Sequence, residues 1–160
     1  MPASVNSIEA GKNERCSLLR REKGEKMTIE VARKWYKQAA HDLDMAGKNT
    51  EIKGYDVAAF LAHQAVEKLL KALIALEEKR IPRTHHIDEL AQHLNLSDEI
   101  MSHVLSLTAD YTLARYPDVS DEVPYEQYDR GIALERIESA RRVFELLRDA
   151  CRVLLERDNE

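Results

Sequence analysis

The 160-residue sequence contains few of the residues that build turn-rich or cross-linked folds. It has five glycines, four prolines and two cysteines, Cys16 and Cys151, which lie far apart. Because they form no CxxC pair, we expect free thiols rather than a disulfide or a metal site. No apolar run approaches the roughly 20 residues of a membrane span, and residues 1–26 lack the apolar segment of a signal peptide. These absences indicate a cytoplasmic protein without membrane association.

Charge is abundant but uneven. Charged residues make up 33% of the chain and apolar residues 44%, a balance that favours a helical domain over disorder. The net charge is −5, yet residues 1–26 carry six basic and four acidic residues, which leaves 18 basic and 25 acidic residues in the remainder. A domain with net negative charge is not expected to bind a polyanion such as nucleic acid non-specifically. Any contact with nucleic acid must therefore use a local basic patch.

Helical periodicity begins near residue 27 and predicts an all-α domain over residues 27–156. Residues 1–26 mix Gly, Ser, Asn and charges without a sustained period, and we expect a disordered or tag-like leader there. A first helix is predicted over residues 28–48, capped by Thr28. Its apolar stripe recurs every three or four residues and contains Ala32, Trp35, Ala39, Leu43 and Ala46.

A second helix is predicted over residues 55–79, and its apolar stripe is unusually wide. A single neighbouring helix would cover only part of an apolar stripe this wide. The helix therefore either lies at the centre of a bundle or faces another subunit with part of its surface. Small residues that allow close helix approach are Ala58, Ala62, Ala65 and Ala72.

The second half of the chain continues the helical pattern, and we predict no strands. A short helix is expected over residues 87–94, and a further helix capped by Ser97 is expected to run towards Arg115 and end near Pro117. A polar loop over residues 118–130 precedes a last helix over residues 132–155. The packing seam of that helix contains Ala133, Ile137, Ala140, Phe144, Leu147, Cys151 and Leu154.

Four ordered segments resemble the HEPN family, whose name abbreviates higher eukaryotes and prokaryotes nucleotide-binding. The first is residues 40–46 (AHDLDMA), and the second comprises Gly54, Tyr55 and residues 60–72 (FLAHQAVEKLLKA). The third is residues 84–87 (THHI), and the fourth comprises Tyr111 and residues 114–118 (ARYPD). The resemblance covers nearly the whole chain after the leader.

The resemblance implies a four- to five-helix up-and-down bundle that commonly forms a homodimer. It implies a possible nucleotidyltransferase-domain partner, on the same or a neighbouring chain. Some members are metal-independent ribonucleases of toxin–antitoxin or defence systems, and others are nucleotide-binding or accessory modules. Fold alone does not choose among these activities.

The ribonuclease members carry an arginine followed, after four to six residues, by a histidine. Here Arg80 and His85 satisfy that spacing, and His86 lies within the same range. In such a site the histidine would transfer a proton and the arginine would stabilise charge on phosphoryl oxygens. The alternative is that His85 or His86 caps the following short helix.

Two lysines on the second helix are candidate nucleotide ligands. Lys68 and Lys71 lie one turn apart and could face a common phosphate. The alternative is a solvated face on which Glu67 and Lys71 pair at i,i+4 spacing. Gln64 is expected to form a hydrogen bond across the bundle or an interface.

A second group of candidates surrounds the end of the predicted fourth helix. Arg115 could bind a phosphate while Tyr111 or Tyr116 stacks on a base. The alternative is structural, with Asp118 holding Arg115. A basic connector could add positive potential to this group, and it contains Lys79, Arg80, Arg83, His85 and His86.

Other kinds of site find no support in the sequence. There is no HExxH, P-loop or GxGxxG motif, so we expect no metal and no cofactor. Histidines that stand apart from one another are His41, His63, His93 and His103. The leading expectation is a homodimeric nucleotide- or RNA-binding or accessory module with a nucleotidyltransferase partner. The second is a metal-independent endoribonuclease.

Overall fold

The computed structural model describes residues 5–77 and 80–156, with side chains from residue 17 onward, and this part of the chain is helical without a strand. The predicted all-α bundle is confirmed. None of the helices in the described part of the chain combines the length and the apolar composition of a membrane span. The helices are α1 (Val5–Glu51), α2 (Tyr55–Leu76), α3 (Ile87–His93), α4 (Asp98–Leu107), α5 (Asp110–Leu113), α6 (Pro124–Gln127), α7 (Arg130–Leu146) and α8 (Arg152–Leu155).

Helix α1 begins at Val5 rather than at the predicted Thr28. Residues 5–26, for which a disordered or tag-like leader was expected, are therefore helical, while residues 1–4 lie outside the described residues. The physical reason is composition, since Glu, Lys, Arg and Leu are good helix formers even without an apolar stripe. Between residues 17 and 26 the side chains are mostly exposed, with Leu18 57% and Leu19 60% exposed. The domain boundary after residue 26 stays a prediction.

A tight turn joins α1 to α2. Lys53 adopts the left-handed conformation with φ 62°, and the amide of Gly54 donates to the carbonyl of Asn49 at 2.9 Å. A Cβ atom on Gly54 would lie 3.1 Å from Oδ1 of Asn49, so the close approach favours glycine. Because the connection is so short, the two helices are antiparallel neighbours.

Helix α2 lies at the centre of the bundle, and 14 of its 22 residues are buried. It packs against α1 and α7 and also touches α3, α4, α5 and α6. Its wide apolar face is thus covered within the chain, which decides between the two alternatives left open by the sequence. The width of this face therefore gives no support to a dimer.

The helix expected between Ser97 and Arg115 is interrupted. Its predicted cap is present, because Oγ of Ser97 accepts from the amide of Ile100 at 3.4 Å. However, α4 ends at Leu107, and α5 starts at Asp110. The Thr108 hydroxyl donates to the carbonyl of Val104 at 3.2 Å, a local bond that commonly bends helices.

Helix α7 confirms the predicted packing seam. It starts at Arg130, where Oδ1 of Asp129 caps it by accepting from the amide of Ile132 at 2.8 Å. It ends at Leu146, earlier than predicted, and a turn leads into α8. Phe144 is partly buried, and the other seam residues are buried: Ala133, Ile137, Ala140, Leu147, Cys151 and Leu154.

Candidate functional site

A buried ion pair lies in the middle of α2. Nζ of Lys71 is 2.7 Å from Oε1 of Glu67, and the two side chains are only 6% and 4% exposed. The same ammonium lies 5.5 Å from the ring centroid of Trp35 on α1. The i,i+4 pair forms as its spacing predicts, but it is buried rather than solvated. Lys71 therefore lies away from the surface that a phosphate would approach.

Lys68 points to a different partner. Its ammonium pairs with the carboxylate of Asp42 on α1 and donates to Oε1 of Gln64 at 3.0 Å. Nε2 of Gln38 donates to the other oxygen of Asp42 at 2.7 Å. Lys68 and Lys71 thus have separate carboxylate partners, and Gln64 bonds along α2 rather than across the bundle.

The connector after α2 brings His85 onto the buried carboxylate of Glu67. Nδ1 of His85 lies 3.1 and 3.2 Å from the two carboxylate oxygens. A carboxylate paired with a buried lysine only accepts hydrogen bonds, so this contact favours a proton on Nδ1. The imidazole remains half exposed, at 51%. Nε2 is then the ring atom that can accept a proton.

His85 and Arg115 meet at the ring of Tyr111. The imidazole stacks on this ring with centroids 4.5 Å apart and an interplanar angle of 13°. The Arg115 guanidinium carbon lies 5.3 Å from the Tyr111 centroid, 5.0 Å from that of Phe60 and 5.3 Å from that of Tyr116. We call these five residues the His85–Arg115 cluster. It joins α2, the connector and the end of α5.

His63 lies fully buried beside this cluster. Its ring centroid is 5.5 Å from that of Tyr111, and neither ring nitrogen has a hydrogen-bond partner among the described residues. Burial lowers the pKa of His63 to about 4, against a smaller opposing effect of the charge of Glu67. The imidazole is therefore neutral at neutral pH. His63 lies in the second of the four segments that resemble the HEPN family but was given no role there, although its position one turn before Glu67 on an apolar helix was a usable signal.

A second buried polar group anchors α5. The hydroxyl of Tyr128 donates to Oδ1 of Asp110 at 2.7 Å, and Nε of Arg136 on α7 lies 2.8 Å from Oδ2. The latter contact is an ion pair without the alignment of a hydrogen bond. Burial raises the pKa of Asp110, while Tyr128 and Arg136 act in the opposite direction. This group holds Tyr111, the next residue, against the bundle.

The remaining candidates lie outside these contacts. Arg80 and Arg83 are exposed, and Arg80 has no hydrogen bond, ion pair or ring contact with His85 within the described residues. His86 occupies the N-cap position of α3, but its side chain forms no cap bond. Asp118 is exposed, and in the described part of the chain it forms no ion pair with Arg115. Lys79 lies outside the described residues.

The fold and the His85–Arg115 cluster define a helical bundle domain with a cationic and aromatic surface site. The HEPN domain family model matches residues 32–150. The chain therefore belongs to the HEPN family, and the resemblance seen in the sequence is confirmed.

Two solved structures are similar to this chain. One is the crystal structure of TT1696 from Thermus thermophilus, with 27% identity and a TM-score of 0.68 over 74% of this chain and 97% of that chain. The other is the crystal structure of ST0689, an archaeal HEPN homologue, with 32% identity and a TM-score of 0.62 over 74% of this chain and 95% of that chain. No curated protein matches the chain at a significant level.

Proposed function

We propose that this chain is a HEPN-type nucleotide- or RNA-binding module whose ligand contacts the His85–Arg115 cluster. The observation that carries the proposal is the exposed guanidinium of Arg115 beside three aromatic rings. A planar guanidinium matches two phosphate oxygens. Aromatic rings such as the 43% exposed Tyr116 stack on unpaired bases.

The charge of the surroundings supports the same proposal. The domain is acidic overall, so a polyanion needs a local cationic patch. Arg80 and Arg83 are exposed on the connector that leads directly to His85, and they can extend such a patch. Lys68 and Lys71 contribute less, because both are engaged with buried carboxylates.

Partners belong to the proposal as well. Membership of the HEPN family supports a homodimer and an accessory role beside a nucleotidyltransferase-domain protein, in the cytoplasm, as in toxin–antitoxin pairs. The apolar face of α2 gives no separate support for the dimer. A strictly monomeric chain in gel filtration with light scattering would contradict the dimer, and the failure of a co-encoded nucleotidyltransferase to be retained in a pull-down would contradict the partnership.

Binding is tested with a fluorescently labelled oligoribonucleotide and anisotropy. Arg115→Ala should weaken binding about tenfold, because a charge-assisted contact with phosphate is lost. Arg148→Ala is the matched control, since Arg148 is an exposed arginine that follows α7 and lies outside the cluster, and it should change affinity little. Unchanged affinity in Arg115→Ala would overturn the proposal.

A second candidate function is metal-independent RNA cleavage, and one contact favours it. Glu67 orients His85 so that Nε2 can act as a base, and Arg115 contacts the same Tyr111 ring on which His85 stacks. His85 would take the proton of a 2′-hydroxyl, and the 2′-oxygen would attack phosphorus to form a cyclic phosphate. The 5′-oxygen would leave with a proton from solvent, and Arg115 would stabilise the charge on the phosphoryl oxygens. This arrangement pairs His85 with Arg115 in place of the sequence-based pair with Arg80.

Cleavage is tested on single-stranded RNA in EDTA with four variants. His85→Ala and Arg115→Ala should each reduce the rate by about a hundredfold or more. His86→Ala and Arg80→Ala satisfy the sequence spacing but lack the contacts, so they should retain most of the rate. If the wild type cleaves RNA and both His85→Ala and Arg115→Ala retain its rate, this site assignment is wrong.

A further inference from the structure

The buried ammonium of Lys71 is linked to the imidazole of His85 through a single carboxylate oxygen. Oε1 of Glu67 lies 2.7 Å from Nζ of Lys71 and 3.2 Å from Nδ1 of His85. Lys71 is buried between α1 and α2, where it faces the ring of Trp35, whereas His85 is half exposed. An interior charge is therefore one carboxylate away from the proposed surface site.

Gln64 also donates to Glu67. Its Nε2 lies 3.4 Å from Oε2 of the carboxylate. Lys68 sets the direction of this amide, because its ammonium donates to Oε1 of Gln64 at 3.0 Å and can only donate. In the described part of the chain the hydrogen bonds of Glu67 thus come from Gln64, Lys71 and His85. An ionised carboxylate suits these neighbours, since it has no proton of its own to place.

The charge of Lys71 decides where the protons of this group lie. With the ammonium present, Nδ1 of His85 donates to Glu67, and Nε2 keeps a free lone pair. Without it, the buried carboxylate has no counter-charge, and the Glu67–His85 pair takes up a proton. If Glu67 takes the proton, it donates to Nδ1 and the ring proton moves to Nε2. If His85 takes it, both ring nitrogens are protonated, so in either case Nε2 no longer accepts.

We propose that Lys71 is a positioning residue that keeps Nε2 of His85 free to accept a proton. Lys71 acts through Glu67 and does not itself touch RNA. This role rests on the second candidate function, in which Nε2 takes the proton of a 2′-hydroxyl.

The other titratable or charged groups beside His85 do not replace the ammonium of Lys71. Burial keeps His63 neutral, and Arg115 lies over aromatic rings. Among the described residues, Glu67 forms ion pairs with Lys71 and His85. The groups that face the imidazole without pairing with Glu67 are His63, His86, Tyr111 and Arg115.

The test is long-range proton–nitrogen correlation spectroscopy of the imidazole rings in the full chain, without RNA. At about pH 7.5, above the ordinary titration range of histidine, the wild type should show Nδ1 of His85 protonated and Nε2 unprotonated. The signals are assigned by their loss in His85→Ala. Lys71→Gln removes the charge but keeps an amide donor, and its Nε2 signal should move to that of a protonated nitrogen. Lys71→Arg keeps the charge and should retain the wild-type pattern.

The control is Lys48→Gln, at the exposed pair with Asp44, which should leave the His85 signals unchanged. An unprotonated Nε2 in Lys71→Gln, or a protonated Nε2 in the wild type, would overturn the proposal. Glu67→Gln gives a second test if Lys71→Gln does not fold. Lys71 then attracts the amide oxygen, the amide nitrogen donates to Nδ1, and Nε2 should again be protonated. An unprotonated Nε2 in Glu67→Gln would equally overturn the proposal.

RNA cleavage in EDTA separates this proposal from the function on which it rests. Lys71→Gln should lower the cleavage rate about tenfold or more, and Lys71→Arg should retain it. If the Nε2 signal follows the charge at position 71 but the wild type does not cleave RNA, the link from Lys71 to His85 stands and the second candidate function is wrong. If the wild type cleaves RNA and the Nε2 signal ignores that charge, the role of Lys71 is wrong.

Discussion

The imidazole of His85 lies almost parallel to the phenol ring of Tyr111, with centroids 4.5 Å apart and planes inclined by 13°. At the ring edge, Nδ1 of His85 is held by the buried carboxylate of Glu67. Two contacts of different kinds, one stacking and one polar, therefore fix the direction of a half-exposed ring. This arrangement places a proton-accepting atom and the Arg115 guanidinium around one tyrosine.

The stack predicts how substitutions of Tyr111 affect binding. Tyr111→Ala should weaken oligoribonucleotide binding about tenfold, since an aromatic platform and the support of His85 are both lost. Tyr111→Phe keeps the ring and should bind as the wild type does, as measured by anisotropy. Tyr125→Ala is the control, because Tyr125 is 69% exposed and outside the cluster. A loss in Tyr111→Phe equal to that in Tyr111→Ala would contradict stacking.

The buried pair of Glu67 and Lys71 predicts strong coupling between the two positions. Glu67→Gln or Lys71→Met should each lower the free energy of unfolding by about 3 kcal/mol, because each leaves a buried charge unpaired. The double variant should be less destabilised than the sum of the two, as measured by urea denaturation. The exposed i,i+4 pair of Asp44 and Lys48 is the control, and Asp44→Asn should leave the urea midpoint nearly unchanged. Additive losses at Glu67 and Lys71 would show that the pair is not coupled.

The buried His63 predicts a loss of stability in acid. Its pKa is about 4 in the folded protein, against about 6.5 when unfolded. Between these values the unfolded chain binds one more proton, so stability is complete above about pH 6.5 and falls as the pH drops towards 4. The slope is about 1.4 kcal/mol per pH unit and the total about 3 kcal/mol.

Urea denaturation at several pH values checks this prediction. The difference between the wild type and His63→Leu isolates the contribution of His63 from that of the ionisable groups around it, namely Glu67, His85 and His86. The variant should lose the slope between pH 6.5 and about 4. Parallel curves for the two proteins would show that His63 is not the group responsible.

The polar group around Asp110 predicts a difference between two tyrosines. Tyr128→Phe should lower the free energy of unfolding by about 2 kcal/mol, because the hydroxyl bonded to the buried Asp110 is lost. Tyr125→Phe removes a hydroxyl that contacts only the exposed Glu126, and its thermal midpoint should match the wild type. Equal behaviour of the two variants in thermal denaturation would refute a structural role for Tyr128.

Much of the fold follows from apolar periodicity, and the exceptions have physical causes. The seam of α7 and the wide apolar face of α2 could be predicted because their apolar residues recur at helical spacing, but which elements cover the face of α2 could not. The predicted start of α1 was wrong because charged residues with high helix propensity extend a helix even where there is no apolar stripe. The break before Asp110 was missed because the bond from the Thr108 hydroxyl to the Val104 carbonyl leaves no mark in the apolar periodicity.

Most members of the His85–Arg115 cluster could be singled out from the sequence, but Phe60 and the contacts among the five residues could not. His85, Tyr111 and Arg115 were all candidates, yet the spacing rule joined His85 to Arg80, five positions earlier. Spacing reports only local neighbours, whereas the contact with Tyr111 arises from the packing of α5 on α2. The i,i+4 spacing of Glu67 and Lys71 predicted their ion pair, but spacing alone does not show whether such a pair is buried or solvated.

Glu67 serves two neighbours at once, the ammonium of Lys71 and the imidazole of His85. The proposed surface site and the buried ion pair therefore share one carboxylate. Natural or laboratory evolution can alter Arg115 or Tyr116 with little risk to folding, but a change at Glu67 needs a compensating change at Lys71. Substitutions that change ligand binding should consequently be tolerated at Arg115 and Tyr116 before they are tolerated at Glu67.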